Sequence, residues 1–281
     1  MKFFKYTLFS LLFVAFSACE LDEIDDILNE NDLSDEEIAQ GLKEALIVGT
    51  DTATAQLGQQ GGYLDDPVVR ILLPPNLRNS IDDFRSQSLS LGFVTVTGEQ
   101  LYSGTNVLGV SIPGLKSQED ELVEGINEAA SEAAGVAAPI FVDAITGITI
   151  ADANNILFGG VDTAATAYLR QNTGGQLYNE YEPKIDEALN SVKIGNNSVV
   201  KEYEDFVQQY NSVLSTDIPG FGTLGSLMNL NAVNATDLSA YSTNEGLDGL
   251  YLKISEEEKD IREDPLARVS SLLESVFGQL D

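Results

Sequence analysis

Residues 34–57 read SDEEIAQGLKEALIVGTDTATAQL, and their pattern is the strongest structural signal in the chain. Ser34 and Glu37 match a capping box, in which a hydroxyl and a carboxylate each satisfy an unpaired amide at the start of a helix. Small and apolar residues then recur three or four positions apart, at Ile38, Leu42, Ala45, Leu46 and Gly49. This spacing places them on one face, and it predicts an amphipathic helix of about six turns.

The helical pattern returns along most of the chain. Pro74 and Pro75 predict the start of a second helix. Further helices are predicted over 117–145, 149–157, 162–171, 176–192, 198–214, 237–241 and 243–262. Pro139 is expected to break or kink the first of these. Asp264 is expected to cap a last helix that stops at Gly278.

Residues 92–113 differ from this pattern. They are β-branched, rich in glycine and poor in charge, which predicts one or two short hairpins. No repeat of fixed period and no internal linker is visible. The sequence therefore predicts a mainly α protein, a single compact multi-helix domain over 34–278 with a short β-rich insert near 92–113.

The composition excludes several classes of catalytic and metal site. The chain has 281 residues, with no His, no Trp and one Cys. Without imidazole, Ser-His-Asp and Cys-His catalysis and His-ligated zinc or haem are excluded. One thiol cannot close an intrachain disulfide or supply the several thiolates of a zinc or iron–sulfur site. We expect no cofactor and no metal site, beyond weak Ca²⁺ or Mg²⁺ association with surface carboxylates.

The charge of the chain argues against a nucleic-acid partner. Lys and Arg number 15 against 45 Asp and Glu, a formal net charge of −30. Binding to phosphates requires Lys and Arg side chains that displace counterions. We therefore expect no contact with DNA or RNA.

The N-terminus predicts export and a lipid anchor. Residues 1–19 read MKFFKYTLFSLLFVAFSAC, with two early lysines, an apolar run and small residues before the cysteine. This is typical of a secretory signal that is too short to span a bilayer. The position of Cys19 resembles a bacterial lipobox, although Phe16 stands where Leu is commonest. The interpretation is a signal peptide over 1–18 and acyl chains on Cys19 that anchor the protein to the membrane. The alternative is a plain secretory signal with an incidental cysteine.

Residues 19–33 are predicted to form an acidic tether. Removing the signal takes away two lysines and no acid, so the net charge changes from −30 to −32. The acids after Cys19 are Glu20, Asp22, Glu23, Asp25, Asp26, Glu30 and Asp32. Such a run is repelled by anionic headgroups, and it is similar to the acidic export signals of surface lipoproteins. Alternatively, Leu21, Ile24, Ile27 and Leu28 form the apolar face of a short helix that docks on the domain.

Three stretches resemble the domain of unknown function 4197, a bacterial family. They are 37–73, 140–189 and 247–278, and their most specific pieces are GLKEAL, DANNILFG, DTAATAYLR and EEEKDIREDP. The resemblance implies a mainly helical protein that is exported or lipid-anchored, and it implies no established activity. Two segments are expected to depart from the family pattern, the β-rich insert over 92–113 and the Gly- and Asn-rich segment over 215–234.

Three short motifs have both a chemical and a structural interpretation. Residues 220–225 satisfy G-x-G-x-x-G but lack the surrounding βαβ unit, so we expect a flexible loop. Ser198 and Lys201 satisfy S-x-x-K without the accompanying motifs of penicillin-recognising enzymes, so we expect Ser198 to be a helix N-cap. The acid pairs at 65–66, 82–83, 119–121 and 256–258 could support acid–base work, but in so acidic a chain we expect them to be solvated.

The arginines within the family-like motifs are the candidate binding residues. Arg170, Arg262 and Arg268 lie among apolar periodic positions. Acids nearby in sequence are Asp152, Asp162, Glu258 and Asp264. The structural interpretation is that each arginine pairs with a carboxylate and fixes the register of a helix. The functional interpretation is a small anionic site formed by Arg170 and Arg262, with Tyr168 as a hydroxyl donor.

The sequence leaves two candidate functions, a binding protein and an enzyme. The first is an outer-membrane lipoprotein of the bacterial cell envelope. It is a non-catalytic module that binds a protein partner, or an apolar ligand between its alanine-rich helices. The alternative is an envelope hydrolase that acts on glycan through carboxylates, which requires an apolar cleft holding two carboxyl groups of raised pKa.

Overall fold

The computed structural model describes residues 33–147 and 149–281. The chain divides into residues 1–34 and a compact unit, Asp35–Asp281. The predicted signal peptide over 1–18, the predicted lipid anchor at Cys19 and the tether up to residue 32 lie outside the described residues.

The compact unit is mainly α, as the sequence predicted, with eleven α-helices in the described part of the chain. They are α1 (Asp35–Leu57), α2 (Pro75–Ser86), α3 (Gly98–Tyr102), α4 (Lys116–Ala134), α5 (Ala138–Gly147), α6 (Ala153–Phe158), α7 (Ala164–Ser191), α8 (Val199–Leu214), α9 (Leu224–Met228), α10 (Leu238–Glu263) and α11 (Ser271–Phe277). Two 3₁₀ turns, Pro265–Ala267 and Gly278–Leu280, flank α11.

In the part of the chain that the structure describes, four two-stranded antiparallel hairpins connect consecutive helices. They pair β1 (Ser88–Leu91) with β2 (Val94–Thr97), β3 (Thr105–Val107) with β4 (Val110–Ile112), β5 (Lys193–Ile194) with β6 (Asn197–Ser198), and β7 (Asp217–Ile218) with β8 (Gly222–Thr223). In three of them the last strand residue is also the N-cap of the next helix. The hydroxyls of Thr97, Ser198 and Thr223 accept the amide three residues on, at 3.2, 3.3 and 3.3 Å. A hairpin that ends in a capping hydroxyl therefore starts α3, α8 and α9.

The long helices α1 and α10 pack along each other at the centre of the unit. Glycines permit this close approach, since a Cβ at Gly49 would lie 3.2 Å from Cγ2 of Ile254. Tyr63 is fully buried against the same helix, and its hydroxyl donates to the carbonyl of Gly246 at 2.7 Å. α7 packs on α10 and α4, and α5, α6 and α11 pack on α1.

The helix boundaries confirm some predictions and correct others. The helix predicted over 34–57 and the break at Pro139 are present, with α4 and α5 bent by 52°. The separate helices predicted over 162–171 and 176–192 are wrong, because α7 runs unbroken through Gly174 and Gly175. Buried residues on both sides of the two glycines, among them Leu169 and Leu177, hold the helix in place, so packing overrides the weak helix preference of glycine.

Three further predictions are corrected. The helices predicted over 237–241 and 243–262 are one helix, α10, and the helix predicted over 149–157 starts only at Ala153. Asp264 caps a 3₁₀ turn, not a long helix, accepting the amide of Leu266 at 2.9 Å. The β-rich insert is present, but it begins at Ser88 and its two hairpins are separated by α3.

No single helix within residues 33–147 and 149–281 has both the length and the apolar composition needed to cross a membrane. Only α4 and α5 taken together pass that test, across their bend.

Two glycine substitutions test the packing of the central helices. A Cβ at Gly249 of α10 would lie 2.7 Å from Cε1 of Tyr63, so Gly249→Ala should lower the free energy of unfolding by about 1–3 kcal/mol. A Cβ at Gly175 of α7 would point into open space, with no packed neighbour within 4 Å. Gly175→Ala should therefore raise stability by about 0.5–1 kcal/mol, through helix preference alone. Urea unfolding followed by circular dichroism measures both, and equal effects of the two variants would contradict the packing described.

Candidate functional site

Arg262, a predicted ligand-binding residue, lies beside a buried carboxylate of its own helix. Glu258 is fully buried, and its carboxylate accepts three hydrogen bonds from the start of α7. The donors are the amide of Ala165 at 3.0 Å and both the amide and the hydroxyl of Thr166 at 2.7 Å. The carboxylate thus satisfies amides that a helix N-terminus leaves unpaired.

The guanidinium of Arg262 lies between the Glu258 carboxylate and the end of α6. Its Nε and one terminal nitrogen donate to Glu258 at 3.0 and 2.9 Å. Its terminal nitrogens also donate to the carbonyls of Leu157 at 2.9 Å and Ile156 at 3.1 Å, which belong to the last turn of α6. The guanidinium lies 5.6 Å from the ring centroid of Phe277. Arg262 therefore joins α10 to the end of α6, and the predicted structural role is present with Glu258 as the carboxylate.

Arg268 connects the same region to the last described residue. Its guanidinium donates to the carbonyls of Ile261 at 3.0 Å and Arg262 at 3.1 Å. It also forms a bidentate pair with the carboxylate of Asp281, with both distances 2.7 Å. The hydrogen bonds from Arg268 hold the pKa of Asp281 below its ordinary value.

The three side chains predicted to form an anionic site lie in different surroundings. Tyr168 is half-buried and donates to the carbonyl of Thr149 at 2.8 Å. Arg170 lines one cavity, and Arg262 lines another beside Leu157 and Asp281. The fold thus does not bring Arg170 and Arg262 into a shared cavity, and ligand binding by Tyr168, Arg170 and Arg262 stays a prediction.

Arg170 lies in an open cleft of about 550 Å³, here called the α7–α10 cleft. Its walls are the first turns of α7, the middle of α10 and the loop over 68–70. The lining residues are Val68, Val69, Arg70, Thr163, Thr166, Ala167, Arg170, Glu245, Asp248, Gly249, Tyr251, Leu252 and Ser255. The Arg170 guanidinium lies 5.1 Å from the ring centroid of Tyr251 and pairs with the carboxylate of Asp248. Burial raises the pKa of Tyr251 to about 12, so the phenol next to the Arg170 guanidinium is uncharged at neutral pH.

Two further charged groups line the cleft. Arg70 donates through Nε to the carbonyl of Leu64, and within residues 33–147 and 149–281 it forms no ion pair with a carboxylate. Partial burial, and then the neighbouring carboxylate of Asp248, raise the pKa of Glu245. The cleft therefore combines an unpaired guanidinium, a paired one, and a carboxyl group that is protonated more readily than usual.

A second cavity of about 710 Å³ is acidic. It lies between the loop after α1 and one face of α4, and its acids are Asp65, Glu124, Glu128 and Glu132. No group of three or more Asp, Glu or Cys side chains in the described part of the chain has a geometry that could hold a metal ion. The surface acids of the predicted pairs are mostly exposed, but Glu258 is buried, contrary to the expectation for 256–258.

The remaining motifs have structural roles. Ser198 is the N-cap of α8, as predicted, and the ammonium group of Lys201 pairs with Asp205. Residues 220–225 form the turn of the β7–β8 hairpin and the start of α9, so this segment has a defined hairpin in place of the loop that was predicted. The positive φ angles of Gly220 and Gly222, 85° and 101°, explain the glycines there.

The fold and these contacts define a mainly helical protein in which a buried ion pair joins three helices. A family model described as "Protein of unknown function (DUF4197)" matches residues 32–93 and 98–278, so the chain belongs to that family. Between its two parts the match leaves out 94–97, the strand β2, which lies within the segment over 92–113 that was expected to depart from the family; the second part runs through 215–234. No curated protein and no solved structure matches the chain.

Substitution of the two arginines separates their roles. Arg262→Gln leaves the fully buried carboxylate of Glu258 without its cation, and it should lower the free energy of unfolding by about 3–5 kcal/mol. Arg170 and Asp248 are both more than half exposed, so Arg170→Gln should cost at most about 1 kcal/mol. Thermal and urea unfolding measure both. Similar losses for the two variants would show that Arg262 does not hold the helix ends together.

Proposed function

We propose that the protein is a lipid-anchored binding protein of the bacterial cell envelope, of the outer-membrane lipoprotein type, which holds a protein partner without transforming it. The anchor is supported by residues 1–19, where an apolar signal leads to the single cysteine of the chain. Acyl chains on that cysteine hold the protein at the membrane through burial of their methylene groups.

The α7–α10 cleft is the proposed binding site, and the observation that carries this is the unpaired guanidinium of Arg70. In a chain of net charge −30, carboxylates greatly outnumber cations. An arginine on a cleft wall that pairs with none of the described carboxylates is available to a carboxylate from outside. Arg170 lies in the same cleft, and Val68 and Leu252 provide apolar contact area. These groups fit a polypeptide segment that presents a carboxylate beside an apolar side chain.

A protein partner has more support than an apolar ligand between the alanine-rich helices. The alanines that were expected to line such a site are buried where α4 packs against other helices. Five of the six alanines over 129–138 are at most 2 % exposed, namely Ala129, Ala130, Ala133, Ala134 and Ala137, and Ala138 is half-buried. Their small side chains let the helices pack closely against each other. The alanine faces are therefore already covered by neighbouring helices and are not open to an apolar ligand.

The hydrolase alternative keeps one supporting observation. Glu245 has a raised pKa and lies in the cleft one helical turn from Asp248. A carboxyl group that stays protonated nearer to neutral pH is a general acid of the kind that glycan hydrolysis requires. We therefore retain a carboxylate-dependent hydrolase as the second candidate, with Glu245 as its acid.

The lipid anchor is tested at the cysteine. Cys19→Ser removes the thiol that would carry the diacylglyceryl group, so incorporation of a palmitate analogue in the native host should be lost, and the protein should leave the detergent phase. Ser17→Ala is the matched control, since it keeps a small residue before the cysteine and should keep the label. Unchanged palmitate incorporation in Cys19→Ser would contradict the anchor.

The cleft is tested by crosslinking from its rim. Val68 is 73 % exposed and accepts a photoreactive amino acid without disturbing the core. The native host should give one adduct. Arg70→Gln and Arg170→Gln should each reduce its yield about tenfold or more, because a hydrogen bond to a charged group contributes about 1.5–3 kcal/mol. Lys184→Gln, an exposed charge elsewhere on α7, is the matched control and should leave the yield unchanged.

The same experiment distinguishes the two candidate functions. An adduct yield that does not depend on Arg70 would contradict the proposed binding site. If instead the captured partner is shortened or loses glycan, and Glu245→Gln stops this change, the hydrolase alternative is supported.

A further inference from the structure

Two hairpin turns on the surface lie in stretches of sequence without charge, in a protein whose net charge is −30. Residues 86–98, which include the β1–β2 hairpin, contain no Asp, Glu, Lys or Arg, and the same is true of 218–236, which include the turn of the β7–β8 hairpin. The nearest charged residues along the chain are Arg85 and Glu99 around the first segment, and Asp217 and Asp237 around the second. Arg85 and Glu99 pair with each other at 2.6 Å, so these charges largely offset one another.

Two phenylalanines lie at the tips of these hairpins. Phe93 follows Gly92 at the turn of β1–β2 and is fully exposed, and Phe221 at the turn of β7–β8 is 42 % exposed. The tips are neighbours in space, because a Cβ at Gly92 would lie 4.0 Å from Cζ of Phe221. Val94, beside Phe93, is also exposed. We name Phe93, Val94 and Phe221 the paired tips.

The turn of a further hairpin, β3–β4, is held in an unfavourable backbone conformation. Leu108, at the turn of β3–β4, is exposed and has a φ of 50°. This left-handed region is uncommon for a residue that carries a Cβ, and glycine or asparagine would adopt it more readily. An exposed apolar side chain is therefore present at a turn position that favours glycine.

The size and charge of the paired tips indicate which kind of partner they can contact. Two phenylalanines and a valine offer on the order of 400 Å² of apolar surface, below the roughly 800 Å² that each partner contributes to a stable protein–protein interface. Two copies of this chain, each at −30, also repel each other. A lipid surface needs no shape complementarity and accepts protruding apolar side chains, and carboxylates are the groups it repels.

We propose that the paired tips insert into the interface of the lipid bilayer to which the chain is anchored. This inference rests on the proposed lipid anchor, which supplies the high local concentration that a small contact needs. Residues 20–33 span at most about 50 Å when extended, and a compact unit of this size is about 45 Å across. The covalent length between Cys19 and the helical unit therefore permits the hairpin surface to reach the membrane.

Two features of the composition make the test direct. The chain contains no Trp, so Phe93→Trp and Phe221→Trp each create a protein with one tryptophan at a tip. It contains one Cys, so residues 19–281 can be coupled through the Cys19 thiol to a maleimide lipid in phosphatidylcholine vesicles. The coupling imitates the anchor whether or not Cys19 is acylated in the cell, so failure of the insertion and failure of the proposed anchor are separate results.

Tryptophan fluorescence measures insertion of the paired tips into the bilayer. In coupled protein, the emission of Phe93→Trp and Phe221→Trp should shift to shorter wavelength and be quenched by lipids brominated on their acyl chains. Leu266→Trp is the matched control, since Leu266 is 90 % exposed on the 3₁₀ turn after α10, and its emission should not change. Adding Phe93→Asp to Phe221→Trp should lower the quenched fraction about tenfold or more, since burying one Phe contributes a factor of about this size.

Two results would overturn the proposal. One is equal emission and equal quenching for the tip variants and Leu266→Trp on vesicles. The other is a shift of the Phe93→Trp emission that grows with protein concentration in the absence of vesicles, which would assign the tips to contact between two copies. Because Phe93 is fully exposed, these variants should keep the circular dichroism of the parent protein, and a loss of helix would be visible there.

Discussion

The buried pair of Glu258 and Arg262 is the constraint on which the arrangement of the helices depends. Taking two charges out of water is costly, and the cost is offset only when hydrogen bonds satisfy the groups on every side. Here α10 provides both charges, and the ends of two other helices provide the partners. The carboxylate faces the N-terminus of α7 and the guanidinium faces the C-terminus of α6, so each charge has the sign that the helix dipole favours.

This arrangement also sets the position of the α7–α10 cleft. Glu258 fixes where α7 begins, and Thr166, which it holds, is itself a lining residue of the cleft. Arg170 follows one turn later on the same helix, where its guanidinium lies over Tyr251 of α10. The distance between the two cleft walls is therefore determined by a contact in the core. Two arginines with similar sequence surroundings therefore have different roles. Arg262 is buried in a structural ion pair, whereas Arg170 remains at the surface.

Local patterns predicted local structure well. The helix start after Ser34, the break just before Pro139 and the N-cap role of Ser198 follow from side chains within one turn, and all are present. The continuity of α7 through Gly174 and Gly175 could not be predicted in the same way. It depends on packing of α7 against α10 and α4, which offsets the weak helix preference of the two glycines. The cleft could not be predicted either. Arg170 and Asp248 are 78 residues apart in sequence, and only the fold brings them together.

The contacts of Arg268 extend the buried pair to the surface in one continuous line of hydrogen bonds. Asp281 accepts from Arg268, Arg268 donates to the carbonyl of Arg262, and Arg262 donates to Glu258. The outermost acid has a lowered pKa, so its contribution to stability is present at neutral pH and is lost only as the pH falls through that lowered value. In acid, this end of the helical unit should therefore lose its outermost contact, the pair of Arg268 with the carboxylate of Asp281.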